Sequence, residues 1–325
     1  MTHKPLAMRD TLLNEIWRSM SSDEKIFFVT ADFGSPVLDK IRADFPKRFV
    51  NVGIAEQNLI NVSAGIALEG FTVFAYAIAP FITMRCYEQL RVSLALLSEL
   101  RQMNVNLIGV GAGYSYVVSG PTHQCYEDIT LMRALPNFRV LSPADHVTAS
   151  CMFEICRLNM GPKYIRLDAQ VLPAIYSHET HKPNLTVGYE ILRNGENICV
   201  ISTGYMSHIA KEVSQELARH DISVTVIDLF DISNFDQPQL VKIMAAHKGL
   251  VTVEEGFRGR GGVDALFFEL ITRHRLDIKY LNMGIEVGYN FELGSRSELH
   301  ALAGIGKDEL VNAIKNFSRS LLDHS

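Results

Sequence analysis

Two α/β domains, each a mostly parallel sheet flanked by helices, are what this 325-residue chain predicts. Three observations carry that expectation. Short apolar runs alternate with longer helical patterns, as in sheets buried on both faces. The alternation stops once, over 172–187, and then restarts. Turn and capping residues stand at strand-to-helix junctions.

In order, residues 8–20 read as a helix with Leu12, Leu13, Ile16 and Trp17 on one face. Ile26 to Thr30 is a strand that ends at Ala31-Asp32. Phe49 to Val52 is another; it runs into Gly53 and a helix of small residues, among them Ala55, Ser63, Ala64, Gly65 and Ala67. Phe71 to Tyr76 precedes a long helix from Ile82 to Leu97. Val105 to Val110, Phe138 to Leu141 and Tyr164 to Arg166 complete the first set of strands, with turn and N-cap chemistry at Ser142-Pro143-Ala144-Asp145. Pro173, His178, His181, Pro183 and Asn184 then interrupt any period. The expected boundaries are 5–175 for one domain, 176–187 for a linker and 188–320 for the other. In the second domain the strands are Ile198 to Ser202, Val224 to Asp228, Leu250 to Val253 and Asp277 to Asn282. Its helices are 207–219, 236–247, 262–274 and 307–317, and Gly204 through Ser207 read as a second capping turn.

Composition narrows the class. The chain is 47% hydrophobic and 21% charged, with a net charge of −5 and no basic cluster of the kind nucleic acid needs. The longest apolar runs, such as Thr72 to Ile82, are too short to span a bilayer. Met1 to Pro5 lack a leader's apolar core. Five scattered cysteines with no Cys-x-x-Cys fit a reducing cytoplasm and exclude a disulfide framework or a zinc knuckle; Cys151 and Cys156 read as buried small hydrophobes. The Gly-rich run Arg258 to Gly262 lies late in the chain and reads as a strand-to-helix loop.

The stretch that carries chemistry is Val52-Gly53-Ile54-Ala55-Glu56-Gln57-Asn58. Small neighbours let another backbone approach Glu56, and a desolvated carboxyl there suits proton exchange with a buried heterocycle. A carboxylate in the first turn of a helix also serves the helix dipole, and this stretch alone leaves both roles open. Further clusters sit at the ends of the expected strands, where parallel sheets place their sites. They are Ala31-Asp32-Phe33-Gly34-Ser35, Ala79-Pro80-Phe81 through Arg85, and Ser119-Gly120-Pro121-Thr122-His123-Gln124. Leu131-Met132-Arg133-Ala134-Leu135-Pro136-Asn137 follows the last of these.

Taken together, and with Ser142-Pro143-Ala144-Asp145 and Thr252-Val253-Glu254-Glu255-Gly256, these runs resemble the C-terminal half of the transketolase group of thiamine-diphosphate enzymes, which includes 1-deoxyxylulose-5-phosphate synthase. The resemblance covers nearly the whole chain, as a pyrimidine-binding domain followed by a transketolase C-terminal domain. It implies that Glu56 is the catalytic glutamate that hydrogen-bonds N1′ of the coenzyme's aminopyrimidine. It places Phe81 as the ring stacked on that pyrimidine, with Asp32, Ile54 and Arg85 beside the coenzyme. It makes His123 the substrate-facing histidine, with Ser119 and Ser35 nearby and with Arg9 and Arg166 near arginines that hold a sugar phosphate. The coenzyme implied is thiamine diphosphate, an electron sink for a carbanion drawn from a ketose.

No Gly-Asp-Gly, the family's metal and diphosphate signature, occurs here. The resemblance therefore implies a split enzyme. A separate N-terminal subunit would bring that signature and Mg²⁺ (or Ca²⁺), this chain would supply no metal ligand, and the pyrimidine domains would self-associate in an α2β2 assembly. One departure bears on the substrate. Transketolases tend to carry Gly-Glu-Asp before Gly-Pro-Thr-His; this chain has Val117-Val118-Ser119, and Gly111 stands where a histidine is expected. A site that loses an acid and a histidine suits a non-standard sugar, such as a deoxy or modified one. The alternatives are the β subunit of a 2-oxoacid dehydrogenase-type or 1-deoxyxylulose-5-phosphate-synthase-like thiamine enzyme, and a non-catalytic regulatory chain that kept the fold.

Overall fold

The computed structural model describes residues 6–322; the reading of Met1 to Pro5 lies outside them. The chain forms two compact units. One takes the residues up to Ala112 together with Leu131–Lys182, and the other takes Gly113–Thr130 with the residues from Pro183 on.

The first unit opens with α1 (Met8–Met20), whose buried face is Met8, Leu12, Leu13, Ile16 and Met20. Strand β1 (Ile26–Thr30) leads to α2 (Pro36–Asp44), where Ser35 caps by accepting from the Val37 N–H and Pro36 starts the first turn. Strand β2 (Phe49–Asn51) leads to α3 (Glu56–Leu68), and β3 (Thr72–Ile78) leads to a helical run. Within that run π-type turns at Phe81–Arg85 and Leu90–Leu96 alternate with α-helical turns α4 (Tyr87–Gln89) and α5 (Leu97–Leu100). The long helix expected over 82–97 is thus present, starts at Ala79, runs on to Leu100 and is overwide in two places. Strand β4 (Asn104–Val110), α6 (Asp128–Arg133), whose first turn is counted with the second unit, β5 (Arg139–Leu141), α7 (His146–Leu158) and β6 (Gly161–Leu167) follow. Asp145 caps α7, and its other oxygen accepts the N–H groups of Ile175 and Tyr176, which ties down the start of the expected linker.

All six strands here run parallel in the order β2-β1-β3-β4-β6-β5. Strand β4, near the centre, is buried at every residue. The chain reverses direction across the sheet between β1 and β3, so the carboxyl ends of those strands form the crevice such sheets use for ligands. Asp32 follows the end of β1 and Phe81 the end of β3, while Glu56 follows the end of β2 beside them.

The second unit contains β7 (Tyr189–Arg193), β8 (Ile198–Ser202), α8 (Met206–Ala218), β9 (Val224–Leu229), α9 (Gln237–Ala245), β10 (Gly249–Phe257), α10 (Val263–His274), β11 (Lys279–Ile285), α11 (Arg296–Leu302) and α12 (Lys307–Leu322). Its sheet order is β11-β10-β8-β9-β7, parallel except for β7 against β9. Ser207 is not the cap expected of it: its hydroxyl donates to Asp228 at 2.6 Å, and α8 begins without a side-chain cap. The Gly-rich run before α10 wraps the protein's own acids. Glu254 accepts the Asp264 N–H at 2.9 Å, Asp264 accepts the Gly259 N–H at 2.6 Å, and a Cβ on Gly262 would overlap the Glu254 carboxylate. The positive end of that helix is therefore already filled by a carboxylate.

Cys156 is fully buried as expected, whereas Cys151 is partly exposed because it sits on the outer side of α7. Among the described residues no helix is long and apolar enough to cross a membrane.

Candidate functional site

The turn between β2 and α3 sets the site. Gly53 has φ +76°, a conformation that favours glycine, and the Ala55 N–H reaches back to its carbonyl at 2.7 Å. Asn51 organises this turn. Its Oδ1 accepts the N–H groups of Asp32 (3.1 Å) and Gly53 (2.9 Å), and its Nδ2 donates to the Asp32 carboxylate at 2.9 Å. Asp32 itself sits at φ +56°, held from both sides by that one carboxamide. Asn51 was not singled out from the sequence; the signal for it was an Asn at a strand end, two residues before a glycine that starts a turn.

Glu56 begins α3 and is 3% exposed. Arg85 Nη1 donates to both of its oxygens, at 2.9 and 2.8 Å. The Arg85 guanidinium lies 4.4 Å from the centre of the Phe81 ring. The overwide turn Phe81–Arg85 puts ring and guanidinium together on the side of the helix that meets α3. A cleft of about 500 Å³ opens here, lined by Ile54, Glu56, Asn58, Arg85 and Gln89 among others. Ile54, 77% exposed, stands at its mouth. Behind Arg85, Cys86 is fully buried and bonded to the Ile82 carbonyl; burial first, and then the Glu56 charge, push its thiol up to about 12.

The other expected residues are placed as follows. Ser35 caps α2 and donates to Asp10 at 3.2 Å. Arg9 lies half-buried on α1 and bonds Asp10 at 2.8 Å. Arg166 is buried in β6, in register with Gly109 of β4. Ser119 and His123 belong to the second unit. Their loop is closed at its neck by paired backbone bonds between Gly113 and Cys125, 2.8 and 3.0 Å. His123 is partly exposed, with Nδ1 3.0 Å from the Thr122 hydroxyl and its ring edge-on to Tyr116. Ser119 is exposed.

A coenzyme pyrimidine needs a hydrogen-bond acceptor beside a stacking ring. The Glu56–Arg85–Phe81 arrangement meets that test: a flat, N–H-bearing group already donates to Glu56 while lying against Phe81, in the form of the arginine's own guanidinium. Among the described residues no group of three or more His, Cys, Asp or Glu side chains could hold a metal ion.

Comparison with known proteins gives the family. The family model for the transketolase pyrimidine binding domain matches residues 4–174, and that for the transketolase C-terminal domain matches residues 188–310. The chain belongs to the transketolase family, as the C-terminal half of a split transketolase. It is 32% identical to a subunit of the apulose-4-phosphate transketolase of Actinobacillus succinogenes, over 83% of this chain and 84% of that protein. It is 26% identical to the 6-deoxy-6-sulfo-D-fructose transketolase subunit of a Clostridium species, over 94% of this chain and 92% of that one. A solved structure described as a split-gene transketolase, inactive β4 tetramer, superposes with a TM-score of 0.82 at 27% identity, covering 96% of this chain and 98% of that chain.

Proposed function

We propose that this chain is the coenzyme-activating subunit of a thiamine-diphosphate transketolase that works only with a separate N-terminal subunit. The observation that carries the reading is the buried Glu56 carboxylate facing a cleft beside a stacking ring. When bound, the coenzyme supplies an electron sink for the carbanion of a ketol group. Glu56 holds the proton at N1′ of the pyrimidine, and Phe81 stacks on the ring once Arg85 has swung aside. Ile54 closes the mouth of the cleft and keeps water from it, and Asp32 with Asn51 fixes the turn that aims Glu56. His123 donates to the substrate oxygen as charge gathers there, with Ser119 beside it. Arg9 and Arg166 are the candidates for a substrate phosphate, with Ser35 beside Arg9 through their common partner Asp10.

The partner brings the Gly-Asp-Gly signature that this sequence lacks, and with it Mg²⁺ (or Ca²⁺) and the diphosphate. The names of the relatives, each a transketolase subunit, support a two-chain enzyme. An α2β2 form joined through the pyrimidine domains is supported by the exposed apolar row Val92, Leu96 and Leu100 on that domain. The substrate is a modified or deoxy ketose: relatives are named for apulose 4-phosphate and a sulfonated deoxyfructose, and Val117-Val118-Ser119 stands where an acidic run reads sugar hydroxyls. The five free cysteines accord with the cytoplasm.

The test is reconstitution with the N-terminal subunit, followed by coenzyme binding by calorimetry and ketol transfer. Glu56→Gln should leave assembly intact and slow transfer by about 10²–10⁴-fold. Transfer at the unaltered rate sinks the reading.

A further inference from the structure

The run Thr252 to Gly256 finds no use in the chemistry above, yet it holds a buried and heavily bonded acid of the second unit. Glu255 is 1% exposed. Its Oε2 accepts Arg296 Nη2 at 2.6 Å. Its Oε1 accepts Arg296 Nε at 3.0 Å, His300 Nε2 at 2.6 Å and the backbone N–H of Tyr114 at 3.3 Å. Arg296 and His300 stand four apart on α11, hence on one face, and the Tyr205 ring lies 3.6 Å from the Arg296 guanidinium. Burial opposes ionisation of Glu255, but the Arg296 charge and the His300 bond outweigh it and hold the carboxyl well below the usual carboxylate range. A shift in strand register between Val253 and Phe257 marks the place on β10 where this acid is presented.

Donors to Glu255 come from α11 and from the peptide of Tyr114, at the neck of the loop that carries Ser119 and His123. Gly113, beside it, has φ +55°, and a Cβ there would overlap the Glu255 carboxylate. From this anchor contacts run toward the histidine. The Tyr114 ring packs on Tyr126 at 4.8 Å, Tyr126 Oη donates to Gln124 Oε1, and Gln124 Nε2 donates to the Tyr116 carbonyl at 3.5 Å. Gln124 is the neighbour of His123, and Tyr116 is the ring against it.

An apolar cluster would hold this surface at least as well as a buried ion pair does. What the acid adds is direction, because a carboxylate that accepts a particular peptide N–H fixes the register of the loop. We propose that Glu255, backed by Arg296 and His300, is a positioning residue for the His123 loop, so that the C-terminal domain sets the place of the substrate histidine. The proposal rests on the substrate-facing role of His123.

The test uses the enzyme assembled with its N-terminal subunit. Glu255→Gln should leave coenzyme affinity unchanged, raise amide hydrogen exchange over 113–126, and lower kcat/KM for the sugar by about ten- to a hundredfold, the scale of a displaced positioning group. In a His123→Ala background the same change should cost almost nothing more, since the two act as one unit. Tyr126→Phe, which keeps the packing and removes only the hydroxyl, should show the same pattern more weakly. It also carries the test should Glu255→Gln not fold. Equal losses with and without His123, or weakened coenzyme binding, overturn the proposal. If His123→Ala alone leaves kcat/KM intact, the role of His123 fails first and the proposal falls with it.

Discussion

Arg85 grips Glu56 by both carboxylate oxygens with one nitrogen, Nη1, and the same guanidinium covers the face of Phe81. The arginine thus satisfies in the free chain the two surfaces that a coenzyme pyrimidine needs. On the proposed role of Glu56, binding exchanges one donor for another rather than filling an empty slot.

That exchange makes a measurable difference. Arg85→Ala leaves a buried carboxylate without its donor and should destabilise the free chain by about 1–2 kcal/mol, at the lower end because Arg85 is half exposed. Bound coenzyme resupplies a donor. In the assembled enzyme the rise in melting temperature on adding coenzyme should therefore be larger for Arg85→Ala than for the native chain. Identical rises would show that Arg85 and the pyrimidine do not share Glu56.

Asn51 gives a second handle. Its carboxamide joins Asp32 to Gly53 and so ties the end of β1 to the turn that delivers Glu56. Asn51→Asp keeps the acceptor but removes the donor and sets a second acid against Asp32. Coenzyme affinity in the assembled enzyme should fall about tenfold, the cost of roughly 1.4 kcal/mol. Calorimetric binding at the native strength would remove Asn51 from the site.

Substrate choice should respond to position 119. Ser119→Asp restores the kind of acid that reads a sugar hydroxyl. The ratio of kcat/KM for an ordinary pentose phosphate over that for a deoxy sugar should rise by about tenfold or more. No change in that ratio would sink the link between this loop and specificity.

Away from the site, Lys163 is buried with its ammonium on Asn104 (2.8 Å) and the Gly161 carbonyl (2.9 Å). Burial lowers its pKa to about 8 from 10.5. Between those values the unfolded chain binds the proton that the folded chain lacks. Stability is therefore lost as pH falls from 10.5 to 8, and it rises again with pH, by about 3 kcal/mol in all at 1.36 kcal/mol per unit. Lys163→Met should be more stable than the native chain at pH 7, since Asn104 keeps Asn106 as a donor. The gap, read by urea unfolding, should close by pH 10.5; a constant gap would assign it to packing alone.

What the sequence made legible follows a physical line. Strands buried on both faces announce themselves as apolar runs, and β1, β4, β8 and β9 lie close to where those runs stand. Strand β7 escaped notice because it is an edge strand, only partly buried beyond Tyr189, with Glu190 and Arg193 in it. Helix α11 was missed too, although Ser295 and Glu298 form a capping box there. Ser207 has the chemistry of a cap but spends its hydroxyl on Asp228, a partner 21 residues away that no local pattern reveals. Glu56 drew attention because a carboxylate among small residues after a strand is locally odd, and its burial at the start of α3 is what the structure adds. Its tie to Arg85, 29 residues on, could not be found that way. Nor could the bond from Tyr114 to Glu255, which spans 141 residues.

The allegiance of Gly113–Thr130 reaches further than the site. The polypeptide passes from one folded body to the other, returns, and leaves again. A cut in the connector near residue 182 would leave the histidine loop on a fragment without the platform it rests on. The two halves are spliced rather than strung in tandem, and any lineage that tried to trade one of them for a stranger would have had to re-tailor that strip of chain in the same stroke.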